Sequence, residues 1–218
     1  MTYPHILPLG DSALQVSLGA GVDVELSARV SRLANEVRAA GLRGLGGVVP
    51  AYSALAVHFD PCVAESSALA EQLAVLAAAE LARPAPDGNK AGTLHVIPVC
   101  YDGPDLEAVA HQLELAPTEV VQRHAARTYR VLFLGFVPGF GYLGPLDPSL
   151  ALPRKAEPRL RVSAGAVAIA GEQTAIYPTQ TPGGWHLLGR TKSVLFDPRR
   201  SPPNLLAAGD RVRFEPVT

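Results

Sequence analysis

Residues 83–92, RPAPDGNKAG, interrupt every periodic pattern in the chain. The run combines proline, which fixes φ and removes a backbone donor, with glycine, which loosens the chain, and it has no apolar anchor. Such a segment reads as a linker. We place a domain boundary there, giving domains 1–88 and 89–218, an acceptable division of 218 residues.

The two sides carry different patterns. Before the linker the order is strand, strand, helix, strand, strand, helix. Leu26, Val30, Leu33 and Val37 recur at helical spacing, and Leu69, Leu73, Leu76 and Leu81 mark a second, Ala-rich helix over 64–82. Leu55, Val57 and Phe59 alternate, as in a half-buried strand. Two helices on one face of a small sheet follow. After the linker, TLHVIPVCY reads as a strand, and two short helices over 104–128 have Pro104 in a first turn and Thr118 as N-cap. YRVLFLGF, GAVAIAG, QTAIYP, GWHLLG, VLFD and DRVRFEP then read as short strands bounded by Gly, Pro or Asp, the pattern of a barrel or sandwich. The fold class is α+β.

Composition excludes several functions. Net charge is −1, no apolar run approaches a membrane span, and the start has no basic region followed by an apolar one. Nucleic-acid and membrane partners are therefore not expected. Cys62 and Cys100 form no CxxC pair, which suits a reduced, cytoplasmic protein. The helix pair at 104–126 has helix-turn-helix spacing, but the domain is not basic. No phosphate loop, GxSxG elbow or HExxH motif occurs, and the six histidines lack metal-ligand spacing, so no metal site is expected.

Three stretches invite chemistry. FLGFVPGFGYLGPLDP, residues 133–148, concentrates aromatic side chains on a backbone too punctuated for a regular element. PRKAEPRLRV holds Arg154, Lys155, Arg159 and Arg161, either a basic solvated loop or a clamp for carboxylate or phosphate. QTPGGWHLLGR uses a Gly-Gly turn to deliver Trp185, the single tryptophan, then His186 and Arg190.

Taken in order, GFVPGFGYL (135–143), PRKAEPRLRVSAGAVAIAGEQTAIYP (153–178), TPGGWHLLGRT (181–191), LFDP (195–198) and LAAGDRVRFEP (206–216) resemble one bacterial family. It is the family of B subunits of ATP-dependent 5-oxoprolinase, also called the kinase-A-inhibitor family or allophanate hydrolase subunit 1. The resemblance implies a small α/β domain followed by a cyclophilin-like β-barrel. It implies homologous C and A subunits as partners, 5-oxoproline as substrate, and ATP with Mg²⁺ as cofactors held in the assembled complex. It also leaves open inhibition of a sporulation histidine kinase and half of a biotin-dependent carboxyltransferase. For lactam opening, Arg154, Arg159 and Arg190 become candidate clamps and His124 and His186 candidate proton-transfer groups. Gln173 and Tyr177 would orient the lactam. Phe140, Tyr142 and Trp185 would form a pocket wall or subunit interface, unless the aromatics merely plug one end of the barrel. Ala166 stands where relatives commonly carry serine, so a hydroxyl contact there is absent.

Overall fold

The structure is a computed structural model that describes residues 3–84 and 92–217. The chain divides into two units, residues 1–91 and 92–218. The boundary expected at 88/89 and most of the expected linker lie outside the described residues.

The first unit is β1 (His5–Pro8), β2 (Ala13–Ser17), α1 (Val24–Ala39), β3 (Leu45–Pro50), β4 (Ala54–Phe59) and α2 (Ser66–Ala82). Its antiparallel sheet has the order β1-β2-β4-β3. Alternation places Leu14, Val16, Leu55, Val57 and Phe59 on one face, packed with Val30, Leu33 and Val37 of α1 and Leu69 and Leu73 of α2. Asp23 caps α1 by accepting from the Leu26 N–H at 2.7 Å. The one acidic side chain buried in α2, Glu80, accepts from Arg32 Nε at 2.7 Å, so its charge is compensated between the helices.

The second unit opens with β5 (Leu94–Val99), then α3 (Leu106–Gln112) and α4 (Pro117–Ala125). Here the expected caps shift. Ala116, not Thr118, is the N-cap of α4; Pro117 opens the helix, where its missing N–H costs nothing, and the Glu119 carboxylate reaches back to the Ala116 N–H at 3.1 Å. Strands follow at β6 (Thr128–Leu134), β7 (Gly141–Gly144), β8 (Arg159–Val162), β9 (Ala166–Ala170), β10 (Gln173–Ile176), β11 (Thr181–Gly183), β12 (His186–Arg190) and β13 (Arg211–Pro216). VLFD forms no regular strand; it contributes one bridge, Phe196 to Asn204. Conversely β7, β8 and β11 emerge from stretches that read as turn or loop.

Seven strands form one sheet, β12-β9-β10-β7-β6-β13-β5. Its ends nearly meet. Cys100 and Arg190 exchange backbone hydrogen bonds at 2.9 and 2.8 Å, and the Gly103 N–H donates to the Leu188 carbonyl at 3.1 Å. The resulting barrel has two differently filled faces. Val167, Ile169, Ile176, Leu188, Val212 and Phe214 point into the main core with Val109 of α3 and Val120 of α4. Their neighbours Ala166, Ala168, Ala170 and Ala175 point the other way, toward Phe140, Tyr177 and Trp185. The run AVAIA thus encodes two environments through the two-residue period of a strand. The β8–β11 ribbon is a separate two-stranded sheet whose Val162 packs in this second cluster.

The seam depends on glycine. A Cβ on Gly189 would lie 2.4 Å from the Cys100 carbonyl oxygen, and one on Gly103 would lie 2.3 Å from that of Leu187. Only a bare backbone lets the two strand ends approach this closely. Gly189→Ala should therefore lower stability by about 1–3 kcal/mol, read from Trp185 fluorescence in urea. Gly184→Ala, whose added Cβ would find its nearest atom at 3.5 Å, should cost less. Equal midpoints for the two variants would dismiss the seam as the reason for Gly189.

Candidate functional site

Phe140, Tyr142, Tyr177 and Trp185 converge with Arg154 around a cavity of about 230 Å³. Phe140 is the hub of the cluster: its ring meets those of Tyr142, Tyr177 and Trp185 edge-on, with centroids 5.0, 5.3 and 5.8 Å away. Edge-to-face contacts let the positive rim of one ring meet the negative face of another. The punctuation of residues 133–148 produces this arrangement. The chain turns through Phe136 at φ +69° and Gly139 at φ +83°, and β7 then delivers Tyr142 beside Phe133, stacked at 4.4 Å. Phe136 stands 60% exposed at the rim, edge-on to Phe140.

The opposite wall comes from the PGGW turn. Gly183 lies against the Tyr177 hydroxyl, and a Cβ there would sit 2.3 Å from that oxygen. The missing side chain permits this close approach, and the group that approaches is Tyr177. Burial raises the pKa of Tyr177, outweighing the Trp185 N–H hydrogen bond and the nearby Arg154 and Arg159 charges, which lower it. Burial likewise raises that of Tyr142. Both phenols stay protonated and can donate. The Arg154 guanidinium carbon lies 6.0 Å from the Trp185 ring centroid, a cation–π contact, and no carboxylate pairs with it among the described residues. The site is an aromatic box with one available cation at its edge.

Five of the expected site residues meet here, and five do not. His124 is fully buried in α4. Its Nε2 lies 2.8 Å from Thr174 Oγ1, and that hydroxyl donates to the Ala168 carbonyl at 3.0 Å. With its proton committed to that carbonyl, Thr174 must accept, so Nε2 carries the hydrogen and Nδ1 accepts from the Tyr101 hydroxyl at 2.7 Å. Both nitrogens are occupied, the ring stacks on Phe214, and burial pulls its pKa down to about 3. His124 is a neutral core residue, out of reach of any substrate. His186 donates from Nε2 to the Pro153 carbonyl at 2.9 Å and tethers the loop before β8 rather than lining the cavity. Gln173 is buried in β10 and also stands outside the lining.

Arg159 is engaged elsewhere. Its two terminal nitrogens donate to Asp105 at 2.8 and 2.7 Å. Lys155 Nζ and the Leu187 N–H donate to the same carboxylate at 2.9 and 2.8 Å. Burial raises the pKa of Asp105, but Arg159, the Leu187 amide and Lys155 outweigh it and hold the group at about 2. Arg190, 72% exposed, pairs with Asp102 at 2.7 Å. Arg159 and Arg190 face a different groove. Asp105 itself does not read as a site residue in sequence, because an Asp ahead of a helix ordinarily reads as a cap, and no basic residue lies near it along the chain to announce its partners.

With the barrel and its aromatic box in view, the class is plain: the chain belongs to the family described as carboxyltransferase domain, subdomain C and D, which matches residues 4–206. Within it, the chain is similar to the 5-oxoprolinase B subunit of Bacillus subtilis (strain 168), with 39% identity over 96% of this chain and 91% of the relative. It is also similar to the 5-oxoprolinase B subunit of Escherichia coli O157:H7, with 54% identity over 55% of this chain and 56% of the relative. Among solved structures, TTHA0988 superposes with a TM-score of 0.81 at 41% identity, covering 94% of this chain and 40% of that one. Urea amidolyase of K. lactis superposes with a TM-score of 0.82 at 22% identity, over 98% of this chain and 15% of that one, a likeness of fold. The chain thus spans well under half the length of both solved relatives.

The buried histidine sets a pH dependence. A group whose folded pKa lies below its ordinary value of 6.5 adds stability that is complete above that value and is lost as pH falls toward the folded one. Between pH 7 and pH 5 the loss should reach about 2 kcal/mol. Urea midpoints taken by Trp185 fluorescence at those two pH values test this. His124→Gln should be less stable throughout but with a visibly flatter pH slope. An unchanged slope would assign the acid sensitivity to other groups.

Proposed function

We propose that the chain is the B subunit of a 5-oxoprolinase, and that its aromatic box takes the 5-oxoproline ring. In the complete reaction 5-oxoproline, ATP and water give L-glutamate, ADP and phosphate. The observation that carries this reading is the size and lining of the box. A cavity of about 230 Å³ falls below the ordinary range for drug-sized ligands, roughly 300–1,000 Å³, and is too small for a nucleotide. It suits a single small ring with one anionic group. A ring flanked by Phe140, Tyr142, Tyr177 and Trp185 would be held by its faces, while Arg154 meets the carboxylate with a charge-assisted hydrogen bond. The high-pKa phenols of Tyr142 and Tyr177 supply donors for the lactam edge.

The other half of the chemistry belongs to the homologous C subunit and the A subunit. Among the described residues, no group of three or more His, Cys, Asp or Glu side chains is placed to hold a metal ion. Asp102 and Asp105, the carboxylates in and beneath the groove that Arg159 and Arg190 face, are engaged by Arg190 and by Arg159 with Lys155. These residues do not fit a resident Mg²⁺ site, and the box does not fit ATP. The assembled complex is where ATP activates the lactam.

Co-expressed subunits assayed for 5-oxoproline-dependent ATP hydrolysis test the reading. The isolated chain should show no such turnover. In the complex, Arg154→Ala should lower kcat/KM for 5-oxoproline roughly ten- to hundredfold, the rate equivalent of one lost charged hydrogen bond. The melting temperature should not move, since Arg154 is exposed and pairs with no carboxylate among the described residues. Full activity of Arg154→Ala would remove the box from the reaction.

A further inference from the structure

A second groove, of about 360 Å³, opens along β8 and shares no lining residue with the aromatic box. Arg159 and Arg161 enter it from β8, Arg190 from the end of β12, and Ser163 from the turn after β8. The only carboxylate in its lining is Asp102. With Lys155 and the underlying Asp105 included, four cationic groups meet two carboxylates, an excess of two positive charges. Beneath the groove, Asp105 is already compensated by Arg159 and Lys155.

The groups are held differently. Arg159 is fixed by its fork on Asp105. Arg161 is exposed and has no carboxylate partner among the described residues. The Arg190–Asp102 pair is largely solvent-exposed, and such pairs hold weakly, so its remaining donors can turn to a ligand. All three arginines sit on strands, and the Arg190 backbone is locked at the barrel seam by its hydrogen bonds to Cys100. Their bases are therefore positioned before any ligand arrives.

The lining contains no aromatic residue. The groove offers no face on which to stack a ring, and what it offers instead is charge and forked donors. A monoanionic carboxylate would satisfy one fork and leave charge over. A phosphoryl group carries close to two negative charges at neutral pH and three acceptor oxygens, which matches both the excess charge and the number of donors. We propose that this groove is a second anion site that takes a phosphoryl group, free or as the phosphate tail of a nucleotide, between Arg161, Arg190 and the Ser163 hydroxyl. The assignment stands whichever amide the aromatic box receives.

Calorimetric titration of the purified full chain with inorganic phosphate, tripolyphosphate, ATP and glutamate tests it. Tripolyphosphate and ATP should bind saturably and more weakly as salt rises, and glutamate at equal concentration should not displace them. Equal affinity for tripolyphosphate and ATP identifies the phosphate tail alone as the recognised group; tighter binding of ATP identifies a nucleotide; inorganic phosphate matching both identifies free phosphate. Each supports the site. Arg161→Ala should weaken binding roughly tenfold, Arg161→Lys should fall between, and Arg213→Ala, an exposed arginine on β13, should bind as the unaltered chain does. Unaltered melting temperatures will confirm that the variants fold. Absence of saturable binding, an Arg161→Ala variant with full affinity, or displacement by glutamate would overturn the proposal.

Discussion

The carboxylate of Asp105 holds the candidate site to the barrel. It is buried at the start of α3 and accepts from Lys155, Arg159 and the Leu187 backbone N–H. A desolvated carboxylate is tolerated only when its lone pairs are answered, and here each answer comes from a different piece of chain. Lys155 belongs to the loop that carries Arg154, Arg159 begins β8, and Leu187 belongs to β12, which follows directly on Trp185. The Asp105 N–H donates in turn to the Leu187 carbonyl at 3.1 Å. One ionised group thus fixes the loop bearing the cation of the aromatic box, the ribbon beside it and the strand that carries its tryptophan. Removing it would strand two cations and release three segments together.

The faces of the barrel divide labour along the same strands. Val167 and Ile169 fill the main core, and the intervening alanines make a shallow platform on which large rings can lie close to the sheet. Small side chains under large ones preserve packing density without bulging the strands. Tyr101, His124 and Thr174 form a polar chain through the main core, fully satisfied and neutral. It ties α4 to β10, whose Ala175, like Tyr177 just past the strand's end, belongs to the cluster on the opposite face. The core histidine supports the box from behind without touching what enters it.

Much of this was legible in the sequence. Alternation at Leu55, Val57 and Phe59 and helical spacing in α1 placed the first unit's elements, because one-sided burial imposes a period. The aromatic box was legible in part: Phe140, Tyr142 and Trp185 stood out as large rings flanked by turn residues, while Tyr177 entered only through the family resemblance, as a group to orient the lactam. What was not legible depended on contacts distant in sequence. Arg159 looked like a ligand clamp because its partner, Asp105, lies 54 residues away. His124 looked chemical because nothing in QRHAAR announces that α4 turns it inward against Phe214. The strands β8 and β11 went unseen because RLRV and TPG are too short and too polar or proline-rich to show alternation. VLFD looked like a strand because it is apolar and bounded, yet its neighbours offer only a single bridge.

The order of strands has a consequence for how the barrel is made. β13 lies between β5 and β6, parallel to one and antiparallel to the other. Every other strand of the barrel precedes it along the chain. As the polypeptide is synthesised, the sheet therefore remains split by an empty slot, with two open edges facing each other, until the final strand is slotted in. Val212 and Phe214, both buried, complete the hydrophobic interior only at that moment. Assembly of this unit is gated by its last segment, and a nascent chain interrupted before Arg211 would present paired sticky edges instead of a closed sheet.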